Sequence, residues 1–345
     1  MTGTFRVGLT RDLLAEGTRG LGDTGVGLLD GEDGLEWEYL PGRVDTFIPA
    51  HFDAYDAIAL LGGQVTAESI GSDPRVAVLA RYGVGYDTID IDACTRAGIA
   101  VTITPDGVRR PMATAIMTLV LALATRLQAQ DRLTRKGGWA QKIDVMGIGL
   151  TGRVLGLVGL GNIGREVVRL AAPWQMRVVA HDPWAIPGAV PEVDLVDLET
   201  VFRMADFVVI ACALTPETRH LVNEERLALM QPTAYLINTA RGPIVDQVAL
   251  TAALQAGTIA GAGLDVFEQE PVDPADPILA LDNVLATPHA LGWTDEWIRK
   301  TGESALGGIL RLARGEVPPH IVNRDVLNVP AFRDKLARFA ARDAV

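Results

Sequence analysis

Thiols are nearly absent from this chain of 345 residues: Cys94 and Cys212 are the only two, both in apolar surroundings. That excludes a disulfide framework and points to reduced, buried cysteines in a cytosolic protein. The imidazoles His51, His181, His220, His289 and His320 show no ligand spacing, so no metal centre is expected. Ser69, Ser72 and Ser304 sit in no nucleophile elbow, which leaves a serine hydrolase without support. Positive charge is also in deficit. Lys and Arg total 31 against 43 Asp and Glu, and the net charge of −12 argues against nucleic acid or an anionic membrane as partner. No apolar run reaches membrane-spanning length; residues 112–127 come nearest, and the closing Arg126 favours a core helix. The segment Met1–Arg6 lacks a signal-peptide pattern, so a cytoplasmic location is expected.

What is present is ordinary in bulk, with 48% hydrophobic and 21% charged residues and enough length for two domains. It is specific in one stretch. Residues 153–158 form a short apolar run of the kind a buried parallel strand shows, leading into Gly159-Leu160-Gly161-Asn162-Ile163-Gly164. A helical pattern follows to Pro173, then a second strand, Arg177–Ala180, closing at Asp182. Gly159 permits the tight turn, Gly161 lets backbone approach a pyrophosphate, and Gly164 allows close helix-to-strand contact. The phosphates would meet the helix amino terminus at Asn162 and Ile163. Asp182 would accept hydrogen bonds from the adenosine ribose and repel a 2′-phosphate. Pro183 and Trp184 follow with no arginine, so NAD is expected over NADP.

Taken in order, the chain reads as strands at residues 5–10, 37–40, 56–61, 76–80 and 99–103, with a glycine-rich loop or loose helix over 11–33. Gly63 ends the third strand, where backbone could approach a ligand. Residues 105–111 form a punctuated link, and Pro111 suits the first turn of a long helix ending near Lys136. Beyond Asp182, runs at 207–211, 234–238, 259–264 and 284–287 give further parallel strands, 296–314 a helix, and 332–339 a short amphipathic one. The expected architecture is α/β. A doubly wound parallel-sheet (Rossmann) cofactor domain, residues 111–295, is inserted into a smaller flavodoxin-like α/β substrate domain made of 1–110 and 296–345.

Ligands of open parallel sheets bind beyond the carboxy ends of the strands. The strand ending at Asn238 delivers Thr239, Ala240 and Arg241; the one ending at Leu264 delivers Asp265 and then Glu270; the one ending at Thr287 delivers His289. This set fits hydride transfer to a 2-keto acid. Arg241 can grip carboxylate and carbonyl oxygens with its planar fork, His289 can supply the hydroxyl proton, and Glu270 can orient the imidazole. Asp265 could bond the nicotinamide carboxamide.

At these residues the chain resembles the D-isomer-specific 2-hydroxyacid dehydrogenase family. The similar motifs are residues 81–87 (Arg-Tyr-Gly-Val-Gly-Tyr-Asp), 150–164, 214–219 (Leu-Thr-Pro-Glu-Thr-Arg, with Thr215 beside the cofactor), 237–242, 263–267 with Glu270-Pro271, and Pro288-His289. They occur in the family order across roughly residues 50–323. The resemblance implies the catalytic set Arg241, Glu270 and His289, and a substrate carboxylate held partly by backbone at Val84 and Gly85. It also implies a split substrate domain that closes on the cofactor domain, and a homodimer built across the cofactor domains and the loop carrying Trp139. Departures border the expected cleft: Met112-Ala113-Thr114 stands where an acidic residue is usual, Arg109 and Arg110 precede it, and Ala290-Leu-Gly-Trp-Thr294 follows His289. Arg109 or Arg110 is expected to meet a second polar or anionic group, with Trp293 walling the pocket; a salt bridge at the hinge is the alternative. A lysine-dependent 3-hydroxyacid dehydrogenase is disfavoured, because its fingerprint lies at the amino terminus and no lysine here follows a strand of the sheet. The rival from another class is a dinucleotide-sensing, corepressor-like binding protein on the same fold.

Overall fold

The computed structural model describes residues 4–14 and 21–342. They divide into two units, one of residues up to Val108 together with those from Trp293 onward, the other Arg109–Gly292.

In the first unit, apolar runs form β1 (Phe5–Leu9), β2 (Leu35–Tyr39), β3 (Ala57–Leu60), β4 (Val78–Arg81) and β5 (Ala100–Thr102). They make one parallel sheet in the order β2-β1-β3-β4-β5, which is the flavodoxin-like order. β3 is buried along its whole length, as a strand covered on both faces must be. Edge strand β2 instead alternates partly buried and exposed residues. The stretch expected as a loop or loose helix holds two short 3₁₀ turns, Arg11–Leu13 and Val26–Leu29, and residues 15–20 lie outside the described part. The helix Asp295–Ala313 starts where Thr294 caps it, its hydroxyl accepting the Trp297 N–H at 3.1 Å.

The single helix expected from Pro111 to Lys136 is two. The first, Pro105–Ala124, begins six residues earlier than expected, with Pro105 rather than Pro111 in the position that needs no N–H. Pro111 lies inside it. Gly107, whose carbonyl would receive the missing bond, has no room for a side chain: a Cβ there would be 2.5 Å from Thr301 N. The helix stops where Thr125 turns its hydroxyl onto the Leu121 carbonyl at 2.7 Å and Arg126 adopts φ 51°. A second helix then runs Leu127–Arg135. Pro105–Ala124 is long and apolar enough to cross a membrane by length and composition, and 61% of that window is buried within the structure.

The second unit contains β6 (Val154–Val158), β7 (Arg177–His181), β8 (Val193–Leu195), β9 (Phe207–Ile210), β10 (Tyr235–Asn238), β11 (Gly261–Leu264) and β12 (Val284–Ala286). The sheet is parallel throughout, in the order β12-β11-β10-β9-β6-β7-β8. β8 was not among the expected strands; at three residues it is too short to stand out as a run. Strand order reverses between β6 and β9, the switch point where a doubly wound sheet binds its ligand. Alternate residues feed two cores, with Leu155, Leu157, Val209 and Ile237 on one face and Val158, Val208, Ile210 and Leu236 on the other. Each such side chain contributes about 1.5–3 kcal/mol by leaving water. Together they hold the strand ends rigidly enough to position the loops that follow.

Candidate active site

β6 runs directly into the glycine turn. Gly159 stands at φ +105°, and a Cβ there would lie 2.7 Å from the Ala211 carbonyl, so both conformation and the loop after β9 demand glycine. Gly164 would place a Cβ 2.6 Å from Gly159 O, which explains its part in helix-to-turn packing. Gly161 is different. Among the described residues a side chain there would meet no neighbouring atom within 4 Å, so packing does not require glycine, and the open space suits a group that approaches from outside. The helix Asn162–Ala171 begins here with no side-chain cap, leaving its first N–H groups, at Asn162 and Ile163, available to an anion. At the end of β7, Asp182 Oδ2 accepts the Leu160 N–H at 2.7 Å and Oδ1 the Trp184 N–H at 2.9 Å. These residues fit the adenine dinucleotide: open backbone for a pyrophosphate and a fixed carboxylate for the ribose. Thr215 closes a turn after β9, its N–H donating to Thr218 Oγ1 at 2.7 Å, and Thr239 is buried at the end of β10.

Three strand ends in this unit bring the expected polar set together. His289 Nδ1 lies 2.7 Å from Glu270 Oε2, and Glu270 Oε1 accepts the Phe267 N–H at 2.9 Å. Burial pushes the Glu270 carboxyl up, the largest single influence. The bonds from His289 and the Phe267 N–H, with the positive charge of His289 and Arg241, outweigh it and hold the group below the ordinary glutamate value. An ionised carboxylate only accepts, so Nδ1 carries a proton and Nε2 is the nitrogen left to exchange one. Arg241 Nη1 donates to the Ala240 carbonyl at 2.7 Å.

Asp265 is 2% exposed, and its oxygens are occupied. Oδ1 accepts the Thr287 hydroxyl at 2.6 Å and the Ala290 and Leu291 N–H groups at 3.1 Å each. It thereby grips the loop on both sides of His289, whose φ of 54° is a left-handed conformation costing about 1–3 kcal/mol for a side chain that lacks glycine's freedom. The expectation of a carboxamide contact foresaw none of these bonds.

Arg109, Arg110 and Trp293, expected to shape substrate selection, each have a partner within their own unit. Arg110 Nη1 lies 2.7 Å from Glu166 Oε1 and Arg109 Nε 3.9 Å from Oε2, with Arg169 Nη1 at 3.0 Å. Glu166 is a nearly buried carboxylate that needs compensation, and these arginines supply it within their own unit. In the other unit, Trp293 is stacked on Trp297 with ring centroids 5.4 Å apart. Gly63, at φ +94°, has no room for a side chain against Phe47 and Val44, which accounts for the glycine without a ligand. Val84 and Gly85 sit in the loop after β4, where the preceding Gly83 N–H donates to Thr104 Oγ1 at 2.8 Å.

Three residues that sequence reasoning passed over shape the same loops. Asn238, 1% exposed, donates from Nδ2 to the Arg241 carbonyl at 2.9 Å and accepts the Ala240 N–H at 3.0 Å. His220 and Glu268 pair at 2.6 Å. Their signal was position: Asn238 ends its strand, His220 follows the 214–219 motif directly, and Glu268 lies two residues before Glu270.

Residues 117–290 match the family model for the D-isomer specific 2-hydroxyacid dehydrogenase NAD-binding domain. A glyoxylate reductase from Thermofilum pendens is 40% identical over 278 residues, 79% of this chain and 82% of that protein. Among solved structures, the TT0316 protein of Thermus thermophilus superposes with a TM-score of 0.80 at 34% identity, covering 92% of this chain and all of that one. A D-lactate dehydrogenase from Aquifex aeolicus, complexed with NAD and lactic acid, gives 0.80 at 27% identity, over 90% of this chain and 96% of that one. With the switch-point sheet and its glycine turn already in place, these likenesses establish that the chain belongs to the D-isomer specific 2-hydroxyacid dehydrogenase family and is an NAD-dependent oxidoreductase of it.

Proposed function

We propose that the protein interconverts a small 2-keto acid and its D-2-hydroxy acid, with His289 as the acid and base, Glu270 as its partner and Arg241 as the holder of the substrate. The observation that carries this reading is the 2.7 Å contact of His289 Nδ1 with a carboxylate held below its ordinary value. That contact fixes the tautomer, so that Nε2 donates its proton to the carbonyl oxygen in reduction and takes it back from the hydroxyl in oxidation. NAD, when bound, supplies the hydride chemistry. Arg241 presents a planar fork whose two parallel N–H bonds suit a carboxylate and the adjacent carbonyl oxygen, holding the reacting carbon still. Val84 and Gly85 keep the role that the family resemblance gives them, backbone donors to the carboxylate.

Glyoxylate heads the substrate panel because the relatives at about two-fifths identity are glyoxylate reductases. The reading also includes a second copy of the chain as partner. Leu127, Trp139, Ile143 and Met146 are 59–78% exposed on one short segment, apolar surface of the kind an interface covers. Sedimentation of the intact protein as a monomer at assay concentration would remove that part.

The test is NADH oxidation, followed by absorbance, against glyoxylate, pyruvate and longer 2-keto acids, with Arg241→Ala and His289→Ala as controls. Turnover that both substitutions reduce by about 100-fold or more supports the assignment. NADH binding without turnover on any of the panel favours the dinucleotide sensor instead.

A further inference from the structure

A second histidine–glutamate pair is built from the same loop that carries Glu270. His220 Nε2 lies 2.6 Å from Glu268 Oε1. Glu268 Oε2 accepts the Gln247 N–H at 3.2 Å, and the Glu268 N–H donates to Gln247 Oε1 at 3.0 Å. The His220 N–H donates to the Pro243 carbonyl at 2.8 Å, and two residues on the Val222 N–H donates to Ile244 O at 3.0 Å. Residues 241–247, which begin with Arg241, are therefore fastened at Pro243 through His220 and at Gln247 through Glu268. Gly242, just before the first of these, is pressed against the Phe267 carbonyl. His220 holds φ at 50°, a conformation that histidine adopts at a cost; its N–H bonds this segment directly and its ring reaches it through Glu268.

We propose that His220 and Glu268 are a positioning pair for Arg241, holding its segment where the guanidinium receives the 2-keto acid. This rests on the reading of Arg241 as the cation that binds substrate. One loop then sets two groups at once: Glu270 orients the imidazole, and Glu268 anchors the arginine's backbone. The pair is exposed by 40% and 28%, so solvent screens its charges and its contribution to global stability is small. Its consequence is local geometry.

The test measures KM for the best 2-keto acid of the panel, kcat, and the NADH Kd in full-length His220→Asn, His220→Gln, Glu268→Ala, Arg241→Ala and the double variant Arg241→Ala/His220→Asn. Asparagine tolerates the left-handed backbone but is too short to reach Glu268, whereas glutamine can place an amide nitrogen near the lost Nε2. His220→Asn and Glu268→Ala are expected to raise KM about 10-fold or more, with kcat changed less. The NADH Kd should stay within about 2-fold and His220→Gln recover most of the loss. Because the pair acts through Arg241, adding His220→Asn to Arg241→Ala should raise KM no further. An unchanged KM in both His220→Asn and Glu268→Ala overturns the proposal, and so does an equal further rise in the Arg241→Ala background. If Arg241→Ala itself leaves KM unchanged, the reading of Arg241 falls and the proposal with it, so the silent variant identifies which inference failed.

Discussion

Gly242 and Phe267 are in backbone contact: a Cβ on Gly242 would fall inside the Phe267 carbonyl group. The turn that begins at Arg241 and the loop that ends at Glu270 can approach this closely only because one of them has no side chain. Gly242 needs no left-handed φ, so its requirement is steric and not conformational. Gly242→Ala must push the two loops apart. The expected outcome is a stability loss of about 1–3 kcal/mol, as for other overpacked sites. A fall in kcat/KM of about 100-fold should accompany it, since a displacement near 1 Å suffices for that. Thermal unfolding and steady-state kinetics check both. A variant with wild-type kcat/KM would mean that the spacing of these loops does not matter to the chemistry.

Asp265 and His289 are tied in a different way, through backbone. Asp265 Oδ1 accepts from Thr287, Ala290 and Leu291, and His289 stands between them in a left-handed conformation. Asp265→Ala leaves a hydroxyl and two N–H groups without their acceptor, a loss of about 1–3 kcal/mol for each group that stays buried and unpaired. Release of the His289 backbone should follow, and kcat should fall by about 10-fold or more because the imidazole loses its aim. Asp265→Asn retains one acceptor oxygen and should fall between. If Asp265→Ala changes only the NADH Kd and leaves kcat intact, its role is the carboxamide contact expected from sequence and not the loop.

Much of the fold is legible in the sequence, for a physical reason. A buried parallel strand is a short apolar run, and a nucleotide-binding turn needs glycine at fixed spacing, so β6, β7 and residues 159–164 announce themselves. That Arg241, Glu270 and His289 lie near one another was legible because each stands in the loop that follows a neighbouring strand end of one parallel sheet. The pairing of Arg110 with Glu166 was less visible: the residues are far apart in sequence, and nothing in a linear pattern says that two arginines near a helix start face a carboxylate on another helix. The helix break at Arg126 depends on one residue's left-handed φ, which hydrophobic periodicity does not register. The same holds for His220 and Glu268, whose meaning lies in a 2.6 Å contact across 48 residues.

Asp182 gives a prediction about cofactor choice. Its Oδ2 holds the Leu160 N–H at 2.7 Å, which fixes the carboxylate at the end of β7, and the neighbouring Trp184 offers no positive charge. A 2′-phosphate brought to about 4 Å of this charge would meet a repulsion of a few kcal/mol at an effective dielectric near 20. Asp182→Asn keeps an acceptor for the backbone and removes the charge. The NADPH Kd should fall relative to the NADH Kd by about 10-fold or more, measured by quenching of protein fluorescence. An unchanged ratio would mean that discrimination between the two cofactors arises elsewhere.

Glu166 ties the cofactor-binding helix to the start of the helix Pro105–Ala124. Its side chain is 7% exposed and meets Arg110 at 2.7 Å and Arg169 at 3.0 Å. The hydrogen bond from Arg110 lowers its pKa, burial works in the opposite direction, Arg169 adds to the lowering, and the net shift is downward from 4.5. A carboxyl whose folded value lies below its unfolded one binds protons more readily when unfolded. Its stabilisation is therefore complete above about pH 4.5 and is lost as pH falls through the lower folded value. Both arginines are at least half exposed, so solvent takes part of the interaction, and about 1–3 kcal/mol is the expected cost of Glu166→Gln at neutral pH. Chemical denaturation across pH 3–7 should show the wild-type advantage over Glu166→Gln shrinking on the acid side of about 4.5. A difference that stays constant through that range would place the cost of the substitution in packing and not in the ion pair. Arg109→Ala, by contrast, removes only a 3.9 Å contact and should leave KM for the 2-keto acid unchanged; a rise would restore Arg109 as a substrate contact.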